Sequence, residues 1–126
     1  MLDEGLERHN DGQRTYFDTA DQPTMLPEES AYSRRHFERL IEAAGVGPGC
    51  RVLEIGAGMG RFTRMFVDAG YDVVASDISN GQIGTLRKVL PGVETIVVPA
   101  SELPAPDRPF DIVVGFFCLH HIPDLP

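Results

Sequence analysis

A chain of 126 residues has room for one domain of ordinary size and not for two. Nineteen acids against eleven bases leave a formal charge of −8 and a sequence pI near 4.8, which argues against an electrostatic nucleic-acid binder, whose affinity needs a basic face. The longest apolar run, Ile112 to Leu119, has eight residues and a glycine within it, far short of the ~20 that cross a bilayer, and the acidic start Met1-Leu2-Asp3-Glu4-Gly5 is unlike a secretory signal. These features point to a cytoplasmic protein with no membrane partner. Cys50 and Cys118, 68 positions apart, then read as small apolar residues in a reducing compartment rather than as a disulfide or a metal knuckle.

Residues 1–26 are acidic, glycine-bearing and without apolar periodicity, and read as a mobile arm. Tyr16 and Phe17 break that pattern; they dock on the domain or, with Tyr32, help close a pocket. From Pro27 the pattern is helical, with Pro27, Glu28 and Glu29 suited to a first turn and Phe37, Leu40, Ile41 and Ala44 on one buried face. Arg34, Arg35 and Arg39 read as its solvated side, and Gly45 stops it. Arg51 to Ile55 is a short buried strand. Arg61 to Ala69 is a helix with Phe62, Met65, Phe66 and Ala69 inward, closed by Gly70. Asp72 to Ser76 is a second strand. Ser79 and Gln82 form a capping box for a helix with inner face Ile83, Leu86 and Leu90, ended by Pro91-Gly92. Val93 to Val98 is a third strand, and Phe110 to Phe116 a fourth, after the proline-rich link Leu103 to Pro109. Strands alternating with helices require a parallel sheet with right-handed crossovers. The fold expected of residues 27–126 is therefore α/β and Rossmann-like.

The chemistry gathers at Glu54-Ile55-Gly56-Ala57-Gly58-Met59-Gly60-Arg61, where a strand runs into alternate glycines and then a helix. Glycines at a strand's carboxyl end allow a tight turn and let a ligand approach the backbone, at the place where open parallel sheets bind ligands. Asp77 stands 21 residues after Gly56, at the end of the next strand, where a carboxylate can accept hydrogen bonds from both hydroxyls of an adenosine ribose. The dinucleotide pattern G-x-G-x-x-G would put its third glycine at Arg61. Instead the third is Gly60, and Glu54 precedes the first by two residues, where a carboxylate would repel a pyrophosphate and suit a ligand bearing ammonium and sulfonium groups.

At these residues the sequence resembles the class I S-adenosylmethionine-dependent methyltransferases of small-molecule type. The resemblance covers roughly residues 30–126 and rests on four landmarks: Glu54 to Gly60, Asp77-Ile78, Ala100-Ser101-Glu102-Leu103-Pro104, and Phe110 to Val114 running to Leu119-His120-His121. It implies that S-adenosylmethionine is the cofactor and that the backbone of Gly56, Ala57 and Gly58, with Gly60 completing the motif, lines its methionine and ribose portions. Asp77 would hold the ribose, Ile78 would pack on the adenine, and Glu54 would orient the loop or the amino-acid end. Ala100, Ser101 and Glu102 would meet the adenine edge. In much of this family an Asp stands in the place of Pro99 and takes the adenine amino group; proline offers only a carbonyl, so Ser101, Glu102 or stacking must serve instead.

Phe116 and Phe117 follow the fourth strand and are core residues, unless one faces the sulfonium, where an aromatic ring attracts a cation. Cys118, His120 and His121 lack further ligands at metal spacing, so no metal is expected, and no catalytic residue is assigned. The function implied is methyl transfer to a small-molecule acceptor. Its rivals are a methyltransferase-like binding module without turnover and an NAD-dependent dehydrogenase. The family's sheet has seven strands in the order 3-2-1-4-5-7-6, and the chain stops just past the fourth, at Asp124-Leu125-Pro126. The expectation is an amino-terminal portion of a longer methyltransferase with sheet order 3-2-1-4, prone to self-association through the fourth-strand edge.

Overall fold

A computed structural model of the chain describes residues 7–12, 14 and 30–116. Helix α1 (Ala31–Ala44) starts where the Ser30 hydroxyl accepts the Ser33 N–H at 3.1 Å, and stops where Gly45 turns left-handed (φ 65°) and donates its N–H to the Ile41 carbonyl. Its start corrects the expectation of a first turn built on Pro27, Glu28 and Glu29: the serine cap lies after both acids, and the first turn holds none. Phe37 is buried and Leu40 and Ile41 pack beside it, whereas Ala44, expected on the same face, is exposed in the last turn.

Beyond α1 the elements alternate: β1 (Arg51–Ile55), α2 (Arg61–Asp68), β2 (Asp72–Asp77), α3 (Asn80–Val89), β3 (Glu94–Val97), a 3-10 turn (Ala100–Glu102) and β4 (Ile112–Gly115). The strands form one parallel sheet in the order β3-β2-β1-β4. Ser79 caps α3 by accepting the Gln82 N–H, as its spacing predicts. Residues 7–12 are helical, an element not anticipated in the acidic arm, and Arg14 is ion-paired with Asp11 at 2.8 Å. The rest of that arm, with Tyr16 and Phe17, lies outside the described residues, as do Pro27, Glu28, Glu29, Phe117, Cys118, His120 and His121.

Strand alternation and register decide where the core sits. Val52, Val73 and Val114 cluster with Phe37 of α1, Phe62, Met65 and Phe66 of α2, and Tyr71. Ala75, Ile83 and Leu86 form the neighbouring cluster, with Leu90, Val93 and Val97 against it. Since Val52, Val73, Ala75, Val97 and Val114 share one side of the pleat, α1, α2 and α3 pack on the same face of the sheet. On the other face Leu53 and Val74 are buried, but Val113 is 56% exposed. Among the described residues nothing covers β4 on that face as it is covered on the helical one. β4 is also shorter than the span Phe110 to Phe116, because Phe110 leaves the ladder to carry the Arg51 guanidinium at 4.3 Å from its ring.

At the amino-terminal rim the proline-rich link is tied down by polar contacts. The Arg51 N–H donates to Asp111 Oδ2 at 2.7 Å, its guanidinium donates to the Arg108 carbonyl, and Arg108 reaches Asp72 at 3.3 Å.

Candidate functional site

At the opposite, carboxyl-terminal rim, β1 ends and the chain turns through Gly56 (φ 69°), Gly58 (φ 58°) and Gly60 (φ 97°) into α2. All three occupy the left-handed region, where a side chain is strained. The turn is held from both sides. The Ala57 N–H donates to the Ser76 carbonyl at 2.9 Å, and the Gly60 N–H to the Ala57 carbonyl at 3.1 Å. A Cβ on Gly60 would lie 3.1 Å from Leu86 Cγ, so this glycine is buried by close packing of the turn on α3.

Asp77 ends β2 facing this turn. Its Oδ2 accepts the Gly58 N–H at 2.9 Å and its Oδ1 accepts the Ser79 N–H at 3.0 Å, so one carboxylate joins the glycine turn to the cap of α3. Each oxygen has two lone pairs, which leaves acceptor capacity for further donors. Ile78 follows, half-buried.

Glu54 lies beneath the turn and points to the α2 side, where Thr63 Oγ1 donates to its Oε1. It is 2% exposed and Thr63 is fully buried. Burial pushes the Glu54 carboxyl from its ordinary 4.5 up to about 8; the Thr63 hydroxyl opposes the shift and the Asp77 charge adds to it. Burial therefore favours the uncharged form of this carboxyl. That weakens the repulsion of a pyrophosphate expected from Glu54, and leaves Arg61 in place of a third glycine as the clearer departure from the dinucleotide pattern.

The remaining expected residues are more scattered. Ala100, Ser101 and Glu102 form the 3-10 turn after β3, with Ser101 and Glu102 exposed, and the Pro99 carbonyl accepts the Glu102 N–H at 2.9 Å. Pro99 and Glu102 line an open cleft of about 210 Å³ with Glu7, Asn10, Asp11 and Arg14. Phe116 stacks on Phe62, centroids 3.7 Å apart, which places one ring face in the core rather than toward a ligand. Tyr32 is 63% exposed, with its ring edge against His36. Thr63, Ser79 and Gln82 were not expected at the site. Thr63 could have been found from its position three residues before Phe66, which puts a hydroxyl on the buried stripe of α2. Among the described residues no three His, Cys, Asp or Glu side chains converge on a metal position, and no helix is long and apolar enough to cross a membrane.

Residues 52–126, which contain the glycine turn, Glu54 and Asp77, match the family model described as "Methyltransferase domain". The chain belongs to that family. Among similar methyltransferases, the demethylmenaquinone methyltransferase of Renibacterium salmoninarum is 37% identical over 90 residues, covering 71% of this chain and 38% of that protein. The ubiquinone/menaquinone biosynthesis C-methyltransferase UbiE of Vibrio campbellii is 34% identical over 94 residues, covering 67% of this chain and 36% of the relative. The chain thus spans little more than a third of these relatives' length. The magnesium protoporphyrin IX methyltransferase of Synechocystis, solved with bound S-adenosylmethionine, superposes with a TM-score of 0.66 at 19% identity, over 98% of this chain and 66% of that one. At that identity the likeness shows the fold: this methyltransferase domain has the Rossmann-like architecture with its first four strands in the order 3-2-1-4.

Proposed function

We propose that the chain binds S-adenosylmethionine and serves methyl transfer to a small-molecule acceptor in a cytoplasmic setting. The observation that carries this is the joining of Asp77 to the Gly58 N–H beside a left-handed glycine turn, above the buried acid Glu54. These residues fit the cofactor. Asp77 retains acceptor capacity for the ribose diol, the side-chain-free backbone of Gly56, Ala57 and Gly58 admits close approach, and Glu54 can balance an ammonium group. Ile78 offers an apolar surface to the adenine, with Ala100, Ser101 and Glu102 at its edge; Gly60 sets the turn from behind. The cofactor supplies a methyl group already activated by its sulfonium, so the protein's work is alignment, and a base is needed only where the acceptor must lose a proton. The names of the two relatives, a demethylmenaquinone methyltransferase and a ubiquinone/menaquinone biosynthesis C-methyltransferase, support a small-molecule acceptor. Phe116 contributes to this site through the packing of β4 on α2.

Isothermal titration with S-adenosylmethionine, S-adenosylhomocysteine and NAD in parallel tests the reading: the first two bind and NAD does not. NAD affinity equal to that of S-adenosylhomocysteine would replace it with a dehydrogenase. A binding module without turnover is separated by a methyl-transfer assay, since it binds cofactor and transfers nothing. Among the described residues β4 pairs with β1 alone, which supports self-association through its other edge, read by light scattering.

A further inference from the structure

The buried pair Glu54 and Thr63 calls for a role beyond shaping the turn. A carboxyl group removed from water costs stability unless something compensates, and among the described residues its side-chain hydrogen-bond partner is a hydroxyl, also buried. A hydroxyl differs from a cation in this position. It accepts a hydrogen bond from a neutral carboxylic acid and donates one to a carboxylate, so it serves both protonation states, where an arginine or lysine would hold the acid permanently ionised. The charged side chains on the packed elements are Arg61, Arg64 and Asp68 on α2, Asp72 and Asp77 on β2, and Asp111 before β4; the charge that acts on Glu54 is that of Asp77. Asp77 lies two residues past Ala75, the register partner of Glu54, so two acids share the carboxyl-terminal rim on one face of the sheet. Two carboxylates this placed disfavour simultaneous ionisation until a cation arrives.

We propose that Glu54 releases its proton when a ligand's ammonium group docks at the glycine turn, and that Thr63 is the positioning residue that steadies the resulting carboxylate. The O–H bond of the Glu54 carboxyl breaks, the proton passes to solvent, and the charge left behind is balanced by the ligand's ammonium. The inference rests on the cofactor reading above. Binding is then linked to pH through one identified group, and a ligand without an ammonium gains nothing from it.

Calorimetric titration with S-adenosylhomocysteine at pH 7, in buffers of different ionisation enthalpy, counts the protons released. The expected result is close to one proton for the native chain and close to none for Glu54→Gln or for adenosine as ligand. Thr63→Val should bind S-adenosylhomocysteine at least about tenfold more weakly, the loss given by one hydrogen bond to a charged group, and should move the half-point of proton release to higher pH. Thr63→Ser should restore both. Binding of S-adenosylhomocysteine with heat independent of buffer would overturn the proposal and leave the cofactor reading standing, as would a Thr63→Val protein, folded by circular dichroism, with an unchanged release profile. Absence of any binding by the native chain would end both.

Discussion

The two rims of the sheet use the same residue types to opposite ends. At the amino-terminal rim Asp72 and Arg108 have side chains 52% and 70% exposed and meet at 3.3 Å in water. At the carboxyl-terminal rim Glu54 is sealed under the glycine turn, and Asp77 accepts two backbone N–H groups. Water screens the first set, so its charges fasten a loop and do little else. Its exclusion from the second makes the protonation of one carboxyl depend on what docks nearby. Burial and the kind of partner, rather than the presence of acids, separate a fastening from a binding site.

The most severe way to break this contrast is Glu54→Gln, which keeps an acceptor for Thr63 and removes the titration. With an unfolded value of 4.5 and a folded value of about 8, the native acid's contribution is fully present below pH 4.5 and lost as pH rises toward and through 8. The stability lost across that window is on the order of 5 kcal/mol, so urea unfolding at pH 5 and pH 8 should show a fall in the native chain that the variant lacks. Asp77→Ala should weaken S-adenosylhomocysteine binding by about 1.5–3 kcal/mol in calorimetry, and Asp77→Asn by less. Gly60→Ala, which combines a left-handed backbone with a 3.1 Å approach to Leu86, should lower stability by about 2 kcal/mol in chemical unfolding. Asp72→Asn should change stability by less than about 0.5 kcal/mol, and that small effect should vanish in high salt. An Asp72→Asn effect equal to that of Glu54→Gln would erase the distinction between the rims.

Much of the fold is legible in local signals. β1 is bounded as read, Arg51–Ile55, because glycine closes it at one end and an apolar, β-branched run fills it. Gly45, Gly70 and the Ser79 cap mark helix ends through backbone requirements that a short stretch of sequence carries. The start of α1 is less legible, since Pro27-Glu28-Glu29 and Ser30 offer competing beginnings and the hydroxyl cap prevails. The helical stretch 7–12 shows no apolar stripe; what marks it is the buried Asn10, which lines one cleft with Pro99 and Glu102, residues distant in sequence. At the site, Glu54, the glycines and Asp77 announce themselves by order along the chain. The protonation of Glu54 does not, because it depends on how completely α2 and the turn cover it. Phe116 illustrates the same limit: its place after β4 is readable, but the stacking on Phe62 is set by how α2 lies across β1 and β4.

The Asp77 carboxylate bridges Gly58 and Ser79 through bonds made within the folded chain. The turn therefore has little ordering left to do when a nucleoside arrives, and its conformational entropy has been surrendered on folding instead. Association at this rim is then a rigid docking, whose heat-capacity change reflects the apolar area the ligand covers and carries no added contribution from coupled folding of the turn.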